Sequence, residues 1–191
     1  MKSLFLLALT LLIAGRCWSG ESKLPELAEI KLAAEQGDAK AQYQLGKSFY
    51  QHIDFENAEK WYQLAALQGL PEAESDYAGV LTLTVAHHID GKVTHRKPNY
   101  AEAVQWYIKA VNHGHRGALI SLANCYKDGQ GVKQDYVEAY KLYTIADRLG
   151  NNIIAKPYRD SLILKMTSAQ IADGQHRADM VKLDAFLSSG K

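Results

Sequence analysis

Three stretches of this chain repeat one arrangement of small and large residues, and that repetition restricts the fold more than any other feature. "GDAKAQYQLGKSF" (Gly37–Phe49), "GLPEAESDYAGVL" (Gly69–Leu81) and "GHRGALISLANCY" (Gly114–Tyr126) align without a gap. Each runs glycine, alanine, a large residue, a small residue, then an apolar or aromatic one. The series are Gly37/Ala41/Leu45/Gly46/Phe49, Gly69/Ala73/Tyr77/Ala78/Leu81 and Gly114/Ala118/Leu122/Ala123/Tyr126. Steps of four, four, one and three place each series on one stripe of a helix.

A second pattern alternates with the first: Ala58/Trp61/Tyr62/Ala65, Ala103/Trp106/Tyr107/Ala110 and Ala139/Leu142/Tyr143/Ala146. These segments end at Gly69, Gly114 and Gly150, the residue suited to the left-handed turn that stops a helix. They begin at the N-cap residues Asp54, Asn99 and Asp135, with Glu102 and Glu138 placed to complete capping boxes in the last two. The unit is therefore a helical hairpin. Gly46, Ala78, Ala123, Ala65, Ala110 and Ala146 let helices approach, and the aromatic rings fill the space between successive pairs. One hairpin cannot cover its own apolar face, but a stack of them can. A half unit, "LPELAEIKLAAEQG", precedes the array, with Pro25 in its first turn, Ile30 in the tyrosine place and Ala33 in the alanine place.

These residues resemble the Sel-like repeat family, relatives of the tetratricopeptide repeats. The third unit, "ALISLANCYKDGQGVKQDYVEAYKLYTIADRLG", carries the family's loop signature at Gly129, Gly131, Val132 and Asp135, although Leu142 stands where a tryptophan is expected. The tail resembles the family's usual ending, in which a Met-Thr step opens a covering helix. Thr167 and Gln170 would cap that helix, and Ile171, Met180, Leu183 and Phe186 would supply its apolar positions. The resemblance implies an all-α, right-handed α-solenoid of antiparallel helix hairpins. The expected division is a half-repeat helix over 20–36, a repeat array over 37–165, and a capping helix with tail over 166–191. Within the array the units run 37–68, 69–113, 114–149 and a degenerate 150–165. That last unit carries Arg159 and Asp160 where large and small residues belong, and Pro157 is expected to bend its helix.

The second unit contains an insertion, placed over 84–98. Five positions separate Phe49 from Asp54 and nine separate Tyr126 from Asp135, but eighteen separate Leu81 from Asn99. The extra stretch, "VAHHIDGKVTHRKPN", holds His87, His88, Asp90 and His95 and raises the question of a metal site. On a helix, adjacent histidines point about 100° apart, and Lys92, Arg96 and Lys97 oppose a dication. A solvated basic loop on one rim of the stack is the expectation, with no metal and no cofactor. His115 falls at a helix-cap position, while His52, His113 and His176 stand isolated.

The first residues, "MKSLFLLALTLLIAGRCWSG", read as a secretory signal cleaved after Ser19, so 1–19 are set apart from the fold. The apolar run from Leu4 to Ala14 is about 11 residues, against the ~20 that a helix needs to span a bilayer. Arg16 directly before Cys17 argues against lipid attachment. The expected location is periplasmic or secreted, with no membrane span after cleavage. The whole chain has 22 basic and 21 acidic residues, and loss of Lys2 and Arg16 leaves a charge of about −1. Nothing in that balance attracts nucleic acid. Cys125 is then the only cysteine left, and its place in an apolar helical pattern marks it as a small buried hydrophobe.

No Ser or Cys nucleophile motif, HExxH pair or strand-linked phosphate loop is present, so the chain is expected not to be an enzyme. Glu72, Glu74 and Asp76 read as solvated helix faces. A short solenoid offers a groove for another protein or peptide. By analogy with the tetratricopeptide repeats, the first helix of each hairpin lines it. The candidate groove residues are Lys40, Tyr43, Lys47 and Tyr50, then Glu72 and Ser75, then Ile120, Asn124 and Lys127. Tyr43 and Tyr50 with the two lysines would hold an acidic or aromatic segment, and alanine at either tyrosine is expected to spare stability. The expected role is a bacterial periplasmic adaptor. An immunity or inhibitor protein that neutralises a toxic enzyme is the alternative. Oligomeric state is left open.

Overall fold

The computed structural model describes residues 23–89, 92–150, 154–183 and 186. The expected signal segment, 1–19, and Asn151 lie outside the described residues. The helices run α1 Lys23–Glu35, α2 Ala39–Gln51, α3 Phe55–Leu67, α4 Pro71–Leu81, α5 Tyr100–Asn112, α6 Arg116–Asp128, α7 Tyr136–Arg148, α8 Ala155–Ile163 and α9 Ser168–Asp179. Each packs on its chain neighbour from α1 to α8, and α9 turns back to lie on α7. The result is an α-solenoid: α1 is the half unit, α2/α3, α4/α5 and α6/α7 are the hairpins, and α9 covers the end.

The repeated small residues sit where the alignment puts them. Ala58, Ala65, Ala73, Ala78, Ala103, Ala110, Ala118, Ala123 and Ala139 are buried between helices. Gly46 shows why the position must be small: a Cβ there would lie 2.6 Å from the Tyr62 ring, so the ring lies directly on the α2 backbone. One core runs through α3 to α9 and includes Tyr62, Tyr77, Trp106, Tyr107, Leu142 and Tyr143. A smaller cluster of Ala34, Ala41 and Leu45, with Trp61 and Ile30 against it, joins α1 to α2. Cys125 is buried in the main core, and burial pushes its thiol up to about 11.

One hydrogen bond closes all three hairpins. The N-cap N–H donates to the carbonyl of the last aligned residue of the preceding helix. Asp54 donates to Phe49 at 3.0 Å, Asn99 to Leu81 at 2.8 Å and Asp135 to Tyr126 at 2.9 Å. This corrects the expected capping boxes, because the N–H they require is already committed. Glu102 instead accepts from the Asn99 side chain at 2.8 Å, and Glu138 pairs with Lys141. Among the described residues the reciprocal box forms where no hairpin turn competes for that donor, at Thr167 and Gln170 on α9.

Between Leu81 and Asn99 the chain is a β-hairpin and not an irregular loop. Strand β1 (Val85–Ile89) pairs antiparallel with β2 (Lys92–Arg96), with Val85 opposite Arg96 and His87 opposite Thr94. The pair is moored at its base. Val85 is buried against the core, and Arg96 Nη2 donates to Glu59 of α3 at 3.0 Å and to the Val80 carbonyl at 3.2 Å. Asp90 lies outside the described residues.

In the third hairpin, Gly131 has φ +74°, and a Cβ there would stand 2.3 Å from the Tyr100 backbone, so the loop rests on the start of α5. Pro157 is the third residue of α8, in the first turn, where helical N–H groups have no intrahelical acceptor. The expected bend has no cause there. Arg159 is held by Asp147 at 2.6 Å, and Phe186 returns to accept from Arg116 at 2.9 and 3.1 Å.

Candidate partner-binding face

The first helices of the hairpins, α2, α4 and α6, spend their alanine stripe on packing and leave polar and aromatic groups outside it. The buried tyrosine of each second helix reaches toward this side. Tyr143 donates to Asn124 Oδ1 on α6 at 2.6 Å. Tyr107 places its hydroxyl 3.8 Å from where a Cβ of Gly79 on α4 would be, and it hydrogen-bonds Ser121 on α6. Burial raises the Tyr107 hydroxyl to about 12. The Tyr62 ring lies 5.8 Å from Tyr43 and 6.4 Å from Tyr50.

The nine residues expected at this face fall into two groups. On α2, Tyr43, Lys47 and Tyr50 form one patch. The Lys47 ammonium lies 5.6 Å from the Tyr43 ring centre, and Tyr50 is 43% exposed with its ring against Phe55 at 5.3 Å. Lys40, one turn earlier, is exposed, and Glu72 on α4 is exposed and close enough to influence Tyr43 electrostatically. The second group is on α6. Ile120 is half-buried against the core, Asn124 receives Tyr143, and Lys127 lies 5.4 Å from the Tyr158 ring centre and 3.5 Å from Asp128. Ser75 is buried and adds little to the surface.

Asp76 is the centre that sequence reasoning missed. Read as a solvated carboxylate, it is half-buried and accepts from the Tyr43 hydroxyl at 3.0 Å, across from α2 to α4. Desolvation raises its pKa against the opposing pull of the Tyr43 hydrogen bond, His115 and Lys47, with Glu72 adding to the rise. Tyr43 thus joins successive hairpins. This bond argues that Tyr43→Ala costs stability, against the expectation from the sequence, because the change would remove the donor to Asp76.

Glu74 is likewise no solvated side chain. It is 1% exposed and meets His113 Nδ1 at 2.8 Å, so His113 is not isolated. Neither acid could have been placed from its own helix, since what buries it comes from the neighbouring hairpin. His115 is the side-chain N-cap of α6, with Nδ1 accepting from the Ala118 N–H at 3.2 Å. Burial lowers its pKa, opposed by Asp76, Glu72 and Glu74.

Among the described residues no three His, Cys, Asp or Glu side chains converge to hold a metal ion. No described helix is long and apolar enough to cross a membrane.

Comparison with known proteins agrees with the geometry. The Sel1 repeat model matches residues 39–70, 87–115 and 117–151. The second match begins inside the β-hairpin, so α4 lies outside it while packing as the first helix of that unit. The fold is similar to c5321, a protective antigen of uropathogenic Escherichia coli displaying an SLR fold. The TM-score is 0.74 at 23% identity, over 88% of this chain and 36% of that one. It is also similar to a Sel1 repeat protein from Oxalobacter formigenes, with TM-score 0.56 and 26% identity over 72% of this chain and 99% of the other. An exopolysaccharide production negative regulator from Rhizobium leguminosarum bv. viciae is 51% identical over 43 residues, 22% of this chain and only 16% of the regulator.

Proposed function

Since the chain belongs to the Sel1 repeat family, whose stacked hairpins generally bind other proteins, we propose that it is an exported, non-catalytic adaptor. Its first-helix face, α2 with α4 and α6, grips a segment of another protein. One observation carries the reading: the aligned stripes are consumed by stacking, while Lys40, Lys47 and Tyr50 of α2 and Glu72 of α4 remain exposed, with Lys47 and Glu72 both near Tyr43. Export to the periplasm rests on the leader-like run of residues 1–19.

Site-specific photo-cross-linking in the native host tests both parts. A photoreactive residue at Tyr50 should trap one discrete protein, and the same residue at Leu64, exposed on α3, should not. Mass spectrometry of the trapped chain should find its N-terminus at Gly20. Cross-links only from Leu64 would refute the face, and an intact leader would refute export. A trapped protein that is an enzyme, inactive when bound, would favour the inhibitor role over the adaptor role.

A further inference from the structure

The three hairpins differ at the position after their aligned small residue. Lys47 stands there in α2 and Asn124 in α6, while the middle repeat has Gly79. Among the described residues, a Cβ built at Gly79 would meet no clash. The nearest group to a Cβ built at Gly79 is the Tyr107 hydroxyl, at 3.8 Å. One helical turn back, Asp76 is held by Tyr43 at 3.0 Å. Ser121 of α6, bonded to Tyr107, adjoins the notch, and the Tyr43 and Tyr50 rings stand on the α2 side.

This notch presents acceptors and ring faces: a carboxylate, hydroxyl oxygens and tyrosine π-surfaces. Its charge-bearing neighbours are Asp76, Glu72, His115 and Lys47. The one ammonium of that set, Lys47, lies 5.6 Å from the Tyr43 ring centre and not in the Asp76 hydrogen bond, which Tyr43 donates. Asp76 is desolvated and has a neutral donor as its hydrogen-bond partner, so a cation brought to it gains a charge-assisted bond in a poorly hydrated place.

Building on the proposed binding face, we propose that the Gly79 notch seats an arginine or lysine side chain from an extended basic segment of the partner. This reverses the acidic or aromatic segment expected from the sequence, because Asp76 is turned into the face and not out to solvent.

The probes are acetyl-Gly-Arg-Gly-amide and acetyl-Gly-Glu-Gly-amide, titrated into the isotope-labelled mature chain and followed by amide chemical shifts. The arginine peptide should move the amides of Asp76, Gly79 and Ser121. Asp76→Asn keeps an acceptor for Tyr43, and it should weaken that binding about tenfold. Gly79→Met should block it, with circular dichroism and melting temperature confirming the fold of both variants. Shifts at these amides from the glutamate peptide instead would overturn the basic-segment assignment while leaving the binding face intact. Silence from both peptides at millimolar concentration would overturn the notch as a site, and the cross-link at Tyr50 would judge the face separately.

Discussion

Glu74 on α4 has almost no contact with water, and its carboxylate meets a histidine whose own side chain is 49% exposed. That asymmetry decides which half of the pair matters. His113→Ala leaves an acidic group buried without this partner, at a cost of about 1–3 kcal/mol. Glu74→Gln keeps an acceptor and returns a half-hydrated imidazole to water, so it should cost less than about 1 kcal/mol. Urea denaturation of the two variants measures the order, and equal losses would contradict it. His115 gives a pH dependence of defined sign. Its Nδ1 caps α6 only when unprotonated, and its folded pKa is lowered from 6.5. Below that value the unfolded chain binds more protons than the folded one, so stability is lost as pH falls. Asp76, with a raised folded pKa, opposes this, gaining stability as pH falls toward 3.8. His115→Asn retains a cap acceptor without titrating, and should lose less stability than the parent between about pH 7.5 and about pH 5.5. A steeper loss in the variant would refute the assignment. The cap role of His115 was legible from its place after a stop glycine. The Glu74–His113 bond was not, because 39 positions separate its ends and only stacking brings them together.

At the scale of elements, helices were readable and the strands were not. Alanine, aromatic and glycine spacing recurs three times, so each helix is supported by its two equivalents. The insertion occurs once, and its paired strands have no counterpart in the other units to align with. What holds its ends is nevertheless the closure shared by every hairpin, the Asn99 N–H on the Leu81 carbonyl. The β-hairpin should therefore be dispensable for folding. Replacing residues 82–98 by the third repeat's own Lys127–Gln134 loop removes Val85 from the core and Arg96 from Glu59. The expected loss is roughly 2–3 kcal/mol, read from urea denaturation with helical circular dichroism retained. A chimera that fails to fold would show that the strands are part of the frame.

Across the whole molecule, stacking divides the helices between two tasks. The second helices, α3, α5 and α7, lay Tyr62, Trp106 and Tyr143 on the first helix of their own hairpin, and Tyr107 reaches on to Ser121 of the next. The first helices keep an uncovered side where Tyr50, Lys47, Glu72 and the notch at Gly79 meet. The helix α9 ends the stack by laying Gly174 against Tyr140, where a Cβ would come within 2.8 Å of the ring. The repeat spacing marked the helices, but it put the rings between successive hairpins, whereas Tyr62, Trp106 and Tyr143 pack within their own. The acid at the centre of the face emerged only once neighbouring hairpins were side by side. The most direct test of the account is hydrogen–deuterium exchange of the protein, free and bound to the protein captured through Tyr50. The account predicts slowed exchange concentrated in α2, α4 and α6, with α3, α5 and α7 unchanged. Slowing confined to the β-hairpin or to α7 and α9 would contradict it.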